Sequence, residues 1–251
     1  MIALLDLDTL AYRCAASCEP TKEKPYREPL DEAINRADQL FYRILNTTQA
    51  GEYRGFLGSS ENFRKILYPE YKANRAKIQR PAWLDDVRHF LVEEWKAELC
   101  TGYESDDGIG IALNKDSIIC ANDKDFRQLA GHHYNFVKDE FFDVDENEAQ
   151  MAYWTQVLVG DSSDNVRGAK GIGPVKAGRI LSGLSPEEMA SVVRQYFDST
   201  ESFVLTCRLL RILRSKEEYE EIEATIRESK GQEPTEACSQ GDFDPFLTVN
   251  S

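Results

Sequence analysis

Hydrophobic residues in the first two-thirds of the chain come in short runs, separated by stretches with helical spacing. The run at 2–8 (IALLDLD) is apolar until its carboxylates and predicts a buried strand. From 30 to 49, Ala33, Ala37, Leu40, Phe41, Ile44 and Leu45 share one helical face. YRGFLG at 53–58 predicts a second strand, SIICA at 117–121 a third, and FFDV at 141–144 a short further one. Pro81 suits the first turn of a helix reaching about 97, with Val87, Phe90, Leu91 and Trp95 on one side. Strands separated by helices predict a mainly parallel central sheet in an α/β fold. Beyond 146 the pattern turns helical, with helices expected at 146–160, 174–182, 186–197, 200–214 and 216–229. The expected organisation is an α/β core over 1–160, a helical region over 161–230 and a flexible acidic tail over 231–251.

The 251 residues suffice to bury a full core, and the 41% hydrophobic content argues against wholesale disorder. No apolar run approaches the ~20 residues of a spanning helix. MIALLDLD lacks the basic and apolar regions of a signal peptide, so a cytoplasmic location is expected. The six cysteines form no CxxC pair, so neither a disulfide framework nor a zinc site is expected. His132 and His133 fall on a loop or strand edge and receive no role. The net charge of -14 argues at first against a nucleic-acid partner.

The order of the charges says more than their sum. In an open parallel sheet the ligand site lies outside the carboxyl ends of the strands. Asp6 ends the first strand, Asp123 and Asp125 follow the third, and ESDD (Glu104, Asp106, Asp107) opens a helix. GDSSDN, with Asp161 and Asp164, follows another helix. Each cluster alone reads equally well as a helix cap or a loop. Eight carboxylates in one pocket would need counter-charge, and an all-oxygen set favours Mg2+ or Mn2+ over zinc. Two such ions suit in-line phosphoryl displacement. LLDLDTL also resembles the first motif of the haloacid-dehalogenase-type phosphatases. That family wants Thr or Val where Leu10 stands, and it leaves ESDD and DKDF without a role.

Two basic segments interrupt the acidity. RKILYPEYKANRAKIQR (64–80) carries Arg64, Lys65, Lys72, Arg75, Lys77 and Arg80 against one acid, Glu70, with Tyr68 and Tyr71 interleaved. Bases and aromatics together suit a phosphate backbone with stackable bases, although an isolated run of this kind reads as a solvated helix face. VRGAKGIGPVKAGRIL (166–181) carries Arg167, Lys170, Lys176 and Arg179 with no acid. Its GIGP places glycines that permit close approach, Gly171 and Gly173, before the positive end of a helix.

The order DLD, NFRK…YPEYKANR, ESDD, ANDKDFRQL and GDSSDNVRGAKGIG resembles the flap-endonuclease and 5′-nuclease superfamily. Within it, the chain is most similar to the bacteriophage 5′–3′ exonucleases, including the T7-type exonuclease. The likeness covers about 2–181. It implies a PIN-like core, a helical arch at about 64–97 and a late helix-hairpin-helix element. It also implies 5′–3′ exonuclease or flap endonuclease activity on DNA, with RNA–DNA hybrids as further substrates, 5′-phosphate products and a role in replication. By this resemblance Asp6, Glu104, Asp106, Asp107, Asp123, Asp125, Asp161 and Asp164 are metal ligands for two Mg2+ or Mn2+. Lys72 and Arg75 act on the scissile phosphate. Arg64, Tyr71, Lys77, Arg80, Arg167, Lys170, Gly171, Gly173 and Lys176 contact DNA, with K+ at the GIG loop. The family has a further Asp at the end of the second strand; here FLGSSENFR offers Leu57 or Ser59, with Glu61 as a partial substitute. A phosphatase and a catalytically weakened DNA-binding relative remain the alternatives.

The charge arithmetic then divides. Eight acids are the candidate ligands, and 216–244 holds ten acids and three bases. The remainder of the chain has 26 acids and 27 bases, a near-neutral body.

Overall fold

The computed structural model describes residues 1–229. They form two compact units. The first comprises 1–62, 77–126 and 131–144; the second comprises 63–76, 127–130 and, of the described residues, 145–229.

The first unit is built on a six-stranded sheet: β1 (Ile2–Asp6), β2 (Glu52–Asn62), β3 (Glu98–Gly102), β4 (Ser117–Cys120), β5 (Gly131–Asn135) and β6 (Glu140–Val144). Their spatial order is β3-β2-β1-β4-β5-β6. All neighbours are parallel except β5 and β6. β1 lies between two parallel partners, and residues 3–6 are buried, which explains its unbroken apolar run. The chain runs outward from β1 to β3 on one side and from β4 to β6 on the other. The switch point therefore falls between β1 and β4.

Four helices belong to this unit: α1 (Leu7–Ser17), α2 (Leu30–Thr48), α4 (Leu84–Glu93) and α5 (Ser105–Ala112); α3 (Phe63–Leu67) lies in the second unit. Leu10 and Cys14 of α1, Ala37 and Phe41 of α2, and Val87 and Leu91 of α4 share one core with Ala3, Leu5 and Ile118 of the sheet. α5 packs on β1, β2 and β3. Gly108 permits this, because a Cβ there would stand 2.6 Å from Cys100 Sγ and 2.7 Å from the Phe56 ring.

Several expected boundaries move. The strand expected over 2–8 ends at Asp6, because Asp6 accepts a hydrogen bond from Thr9 N at 3.0 Å and starts α1 at the next residue. α1 itself, the edge strand β3 and the polar strand β5 had no clear periodic signal. The helix expected over 81–97 spans only 84–93; Lys96, at φ 52°, turns the chain into the left-handed region just beyond it. His132 and His133 lie on β5, the first paired with Asp143 at 2.6 Å and the second stacked on Phe142.

The second unit contains α3, α6 (Glu146–Val159), a two-stranded ribbon of β7 (Gly160–Asp161) and β8 (Val166–Arg167), α7 (Pro174–Leu181), α8 (Pro186–Arg194), α9 (Thr200–Leu210) and α10 (Lys216–Ser229). Tyr153, Trp154, Val157, Leu181, Met189 and Phe203 anchor its core. α9 stops at Leu210, short of the expected 214. Gln128 holds the extended segment beyond it, giving Nε2–H to Leu210 O at 2.8 Å and taking Ile212 N–H at 3.2 Å. The acidic tail expected over 231–251 lies outside the described residues.

Two glycines close the ribbon. Gly160 has φ 77°, and a Cβ on Gly168 would stand 2.4 Å from both Gly160 N and Leu158 O. Those atoms are backbone and cannot step aside. Gly168→Ala is therefore expected to destabilise the protein by about 2–3 kcal/mol, read as a lower urea midpoint at unchanged slope. An unchanged midpoint would contradict the packing described.

Candidate active site

The candidate ligands of the first unit all follow the carboxyl ends of strands. Asp6 ends β1 and is buried; Leu5 is in register with Cys120 of β4, so Asp123 and Asp125 follow on the other side of the switch point. Asp123 Oδ1 accepts from Asp125 N at 3.0 Å and fixes the turn that presents both. Glu104, Asp106 and Asp107 come after β3, at the start of α5. Glu104 and Asp107 form a reciprocal capping box, with Glu104 N–H donating to Asp107 Oδ2 at 3.0 Å. The capping reading of ESDD is thus correct, and it coexists with the strand-end position.

Two further contacts shape this edge, and neither had a sequence signal beyond the second Asp of DLD. Asp8 Oδ2 accepts from Gly58 N at 2.8 Å, while Arg88 donates to both Asp8 Oδ1 and Gly58 O. Burial lowers the Arg88 pKa. Asn62 Nδ2 donates to Glu104 Oε1 at 3.3 Å. Ser59 and Glu61 lie between them, where the pairing of β2 with β3 is irregular; Ser59 Oγ donates to Glu61 O at 2.7 Å. Cys100 is no rival nucleophile. Burial, and next the Asp107 carboxylate, push its thiol up to about 12.

The donor set here consists only of carboxylates, the chemistry of a hard divalent cation. Among the described residues, no three Asp, Glu, His or Cys side chains gather into a ready-made cage. Like charges repel, and several of these oxygens turn instead to backbone N–H groups. In kind and in position at the switch point, the residues fit such an ion.

The second unit joins two of the sequence motifs. Asp161 Oδ1 accepts from Ser163 N at 2.7 Å and Asp164 N at 3.3 Å, which folds SSDN into a tight turn. The YPEYKANR segment is latched onto that turn. Lys72 N–H donates to Asp164 O at 2.9 Å, Asn74 Nδ2 to Ser162 O at 2.9 Å and Asn165 Nδ2 to Glu70 O at 2.9 Å. The Asp164 carboxylate accepts from Tyr71 Oη at 2.9 Å and pairs with Arg75 at 2.6 Å and Lys72 Nζ at 3.7 Å. Lys72 adopts φ 56°, a left-handed backbone unusual for lysine, and the latch holds it there. The two candidate catalytic cations thus converge on a candidate metal ligand.

Two of the expected DNA contacts are corrected. Arg64 is 3% exposed and spends its guanidinium on Leu209 O at 2.9 Å and Arg211 O at 2.6 Å. Tyr71 is also 3% exposed and sits in the core of the second unit, with its hydroxyl on Asp164. Neither ring nor guanidinium is available to stack on a base. Lys77, Arg80, Arg167, Lys170, Gly171, Gly173 and Lys176 are exposed. Arg80 pairs with Asp85 at 2.7 Å. Gly171 has φ 72°, Gly173 precedes α7 as its N-cap with Pro174 at the first position, and a Cβ on either glycine would meet open space.

Carboxylates that follow the strands at the switch point of a parallel sheet make the first unit an α/β fold with a candidate divalent-cation site. A family model described as "5'-3' exonuclease, N-terminal resolvase-like domain" matches residues 1–155. A 5'-3' exonuclease from Mycoplasma pneumoniae is 30% identical over 213 residues, covering 71% of this chain and 70% of that protein. The DNA polymerase I of Caldicellulosiruptor bescii is 30% identical over 152 residues; the match covers 50% of this chain and 18% of the polymerase. A zinc-bound structure of the T5 5'-exonuclease shares the fold at TM-score 0.63 and 16% identity, covering 90% of this chain and 98% of that one. The chain belongs to the 5′–3′ exonuclease family, a group of nucleases that includes flap endonucleases. That membership sets aside the dehalogenase-type phosphatase. Asp8, the second carboxylate that reading needs, is inside α1 and paired with Arg88.

Proposed function

We propose that the protein hydrolyses phosphodiester bonds of DNA from 5′ ends, using two Mg2+ or Mn2+ ions. The observation that carries this reading is the position of the acids, which follow the carboxyl ends of β1, β3 and β4 in a chain of this family. Asp6, Glu104, Asp106, Asp107, Asp123 and Asp125 are the proposed ligands in the first unit, and Asp161 and Asp164 those in the second. Bound ions would supply neutralisation of phosphate charge and a more acidic attacking water. Asp6 and Asp107, buried at strand and helix ends, keep their carboxylates fixed with little reorganisation.

Lys72 and Arg75 stabilise charge on the non-bridging oxygens of the scissile phosphate, exchanging the Asp164 carboxylate for phosphate as they do so. Asp164 holds both cations extended until then. Lys77 and Arg80 meet the single-stranded 5′ end. Arg167, Lys170 and Lys176, with the backbone at Gly171 and Gly173, hold duplex backbone, with K+ at that loop; α7 and α8 form the helix-hairpin-helix element. Products carry 5′-phosphates. With five free cysteines among the described residues and no described helix long and apolar enough to cross a membrane, we place the protein in a cytoplasm.

Cleavage of duplex and flap DNA is expected with Mg2+ or Mn2+ and should vanish in EDTA. Cleavage that resists EDTA would overturn the metal reading. Lys72→Ala should lower turnover at least about tenfold while DNA affinity falls much less. An unchanged rate would reduce Lys72 to a binding residue.

A further inference from the structure

An aromatic pocket in the first unit is unused by this reading. Asp38 and Tyr42 stand one turn apart on α2, Phe90 and Glu94 one turn apart along α4 and its end, with Trp95 next in the chain and Tyr53 at the start of β2. Together they line an open pocket of about 380 Å3, within the usual range for small-ligand sites.

The pocket is preorganised. The Trp95 indole stacks on buried Phe41, with ring centroids 4.0 Å apart, and Tyr42 packs edge-on at 4.7 Å. Its Nε1–H donates to Asp38 Oδ1 at 3.0 Å, so the ring cannot swing away. Tyr53 stands 5.9 Å from the same indole. Asp38 and Glu94 have no ion-pair partner among the described residues. The nearby cations are engaged elsewhere: Arg43 with Phe136 O, Arg54 with Glu98, and Lys96 with Glu93 O.

The negative quadrupole of an aromatic ring face attracts an ammonium group, whose alkyl stem packs on the apolar walls, and uncompensated carboxylates add to that attraction. Two acids among aromatic walls are too few oxygens for a divalent ion, and they repel a phosphate. We propose that this pocket binds an alkylammonium group, as carried by a free polyamine or by a lysine side chain of another protein.

The test uses the full chain labelled with 15N, whose three tryptophans, Trp83, Trp95 and Trp154, give three indole N–H signals. It is titrated at constant ionic strength with spermidine and, separately, with an end-blocked lysine tripeptide. The Trp95 signal should shift saturably while the other two stay. Asp38→Asn combined with Glu94→Gln should weaken the response at least about fivefold, and Tyr42→Ala about threefold. The amide oxygen introduced by Asp38→Asn can still accept the indole N–H, so the pocket wall is kept. Saturation by spermidine alone supports a free polyamine, by the peptide alone a protein lysine, and by both the shared chemistry. No saturable shift of Trp95 below about 20 mM, an equal shift in the double variant, or an equal shift with the N-acetylated lysine peptide overturns the proposal.

Discussion

Asp6→Asn should leave the protein folded and almost without activity. The Asn side-chain oxygen still accepts the Thr9 N–H that starts α1, and Asn serves as well as Asp at an N-cap. What disappears is a negative charge at the end of β1, beside the switch point of the sheet. Turnover at saturating Mg2+ is expected to fall at least about a thousandfold, the scale on which a preorganised electrostatic group contributes. The unfolding midpoint should barely move. Near-normal turnover would remove Asp6 from the metal site and leave it a helix cap.

Arg64→Met should do the reverse. Arg64 donates to Leu209 O and Arg211 O from inside the second unit, and its charge lies over the Phe63 ring at 4.5 Å. Methionine fills much of the volume but leaves two carbonyls without these donors. A loss of about 3 kcal/mol in stability is expected, since hydrogen bonds from a charged donor contribute about 1.5–3 kcal/mol each. Below the transition, DNA affinity should stay within about twofold of the unaltered protein. If affinity drops while stability holds, Arg64 contacts DNA after all.

This contrast shows where the sequence was readable. The central strands were visible because β1 and β4, buried on both faces, leave unbroken apolar runs. β3 and β5 lie towards the edges and carry polar residues such as Glu98, Thr101 and His132, so no alternation marked them. α1 was hidden because Asp6 is both the last residue of a strand and the first cap of a helix. The strand-end acids were legible, since their positions follow from the α/β order alone. The latch between YPEYKANR and SSDN was not, because about ninety residues separate Tyr71 and Arg75 from Asp164. For the same reason Arg64 and Tyr71 read as surface bases and aromatics. Only the fold shows that their partners are Leu209, Arg211 and Asp164.

Direction of attack is the property that most directly tests the proposed function. Duplex DNA labelled at the 5′ end of one strand, or at its 3′ end, is incubated with the protein and Mg2+, with EDTA as control. The 5′ label should be released first, in short products, while the 3′-labelled strand shortens progressively and its new ends carry 5′-phosphate. Release of the 3′ label first, or equal release in EDTA, would contradict the account.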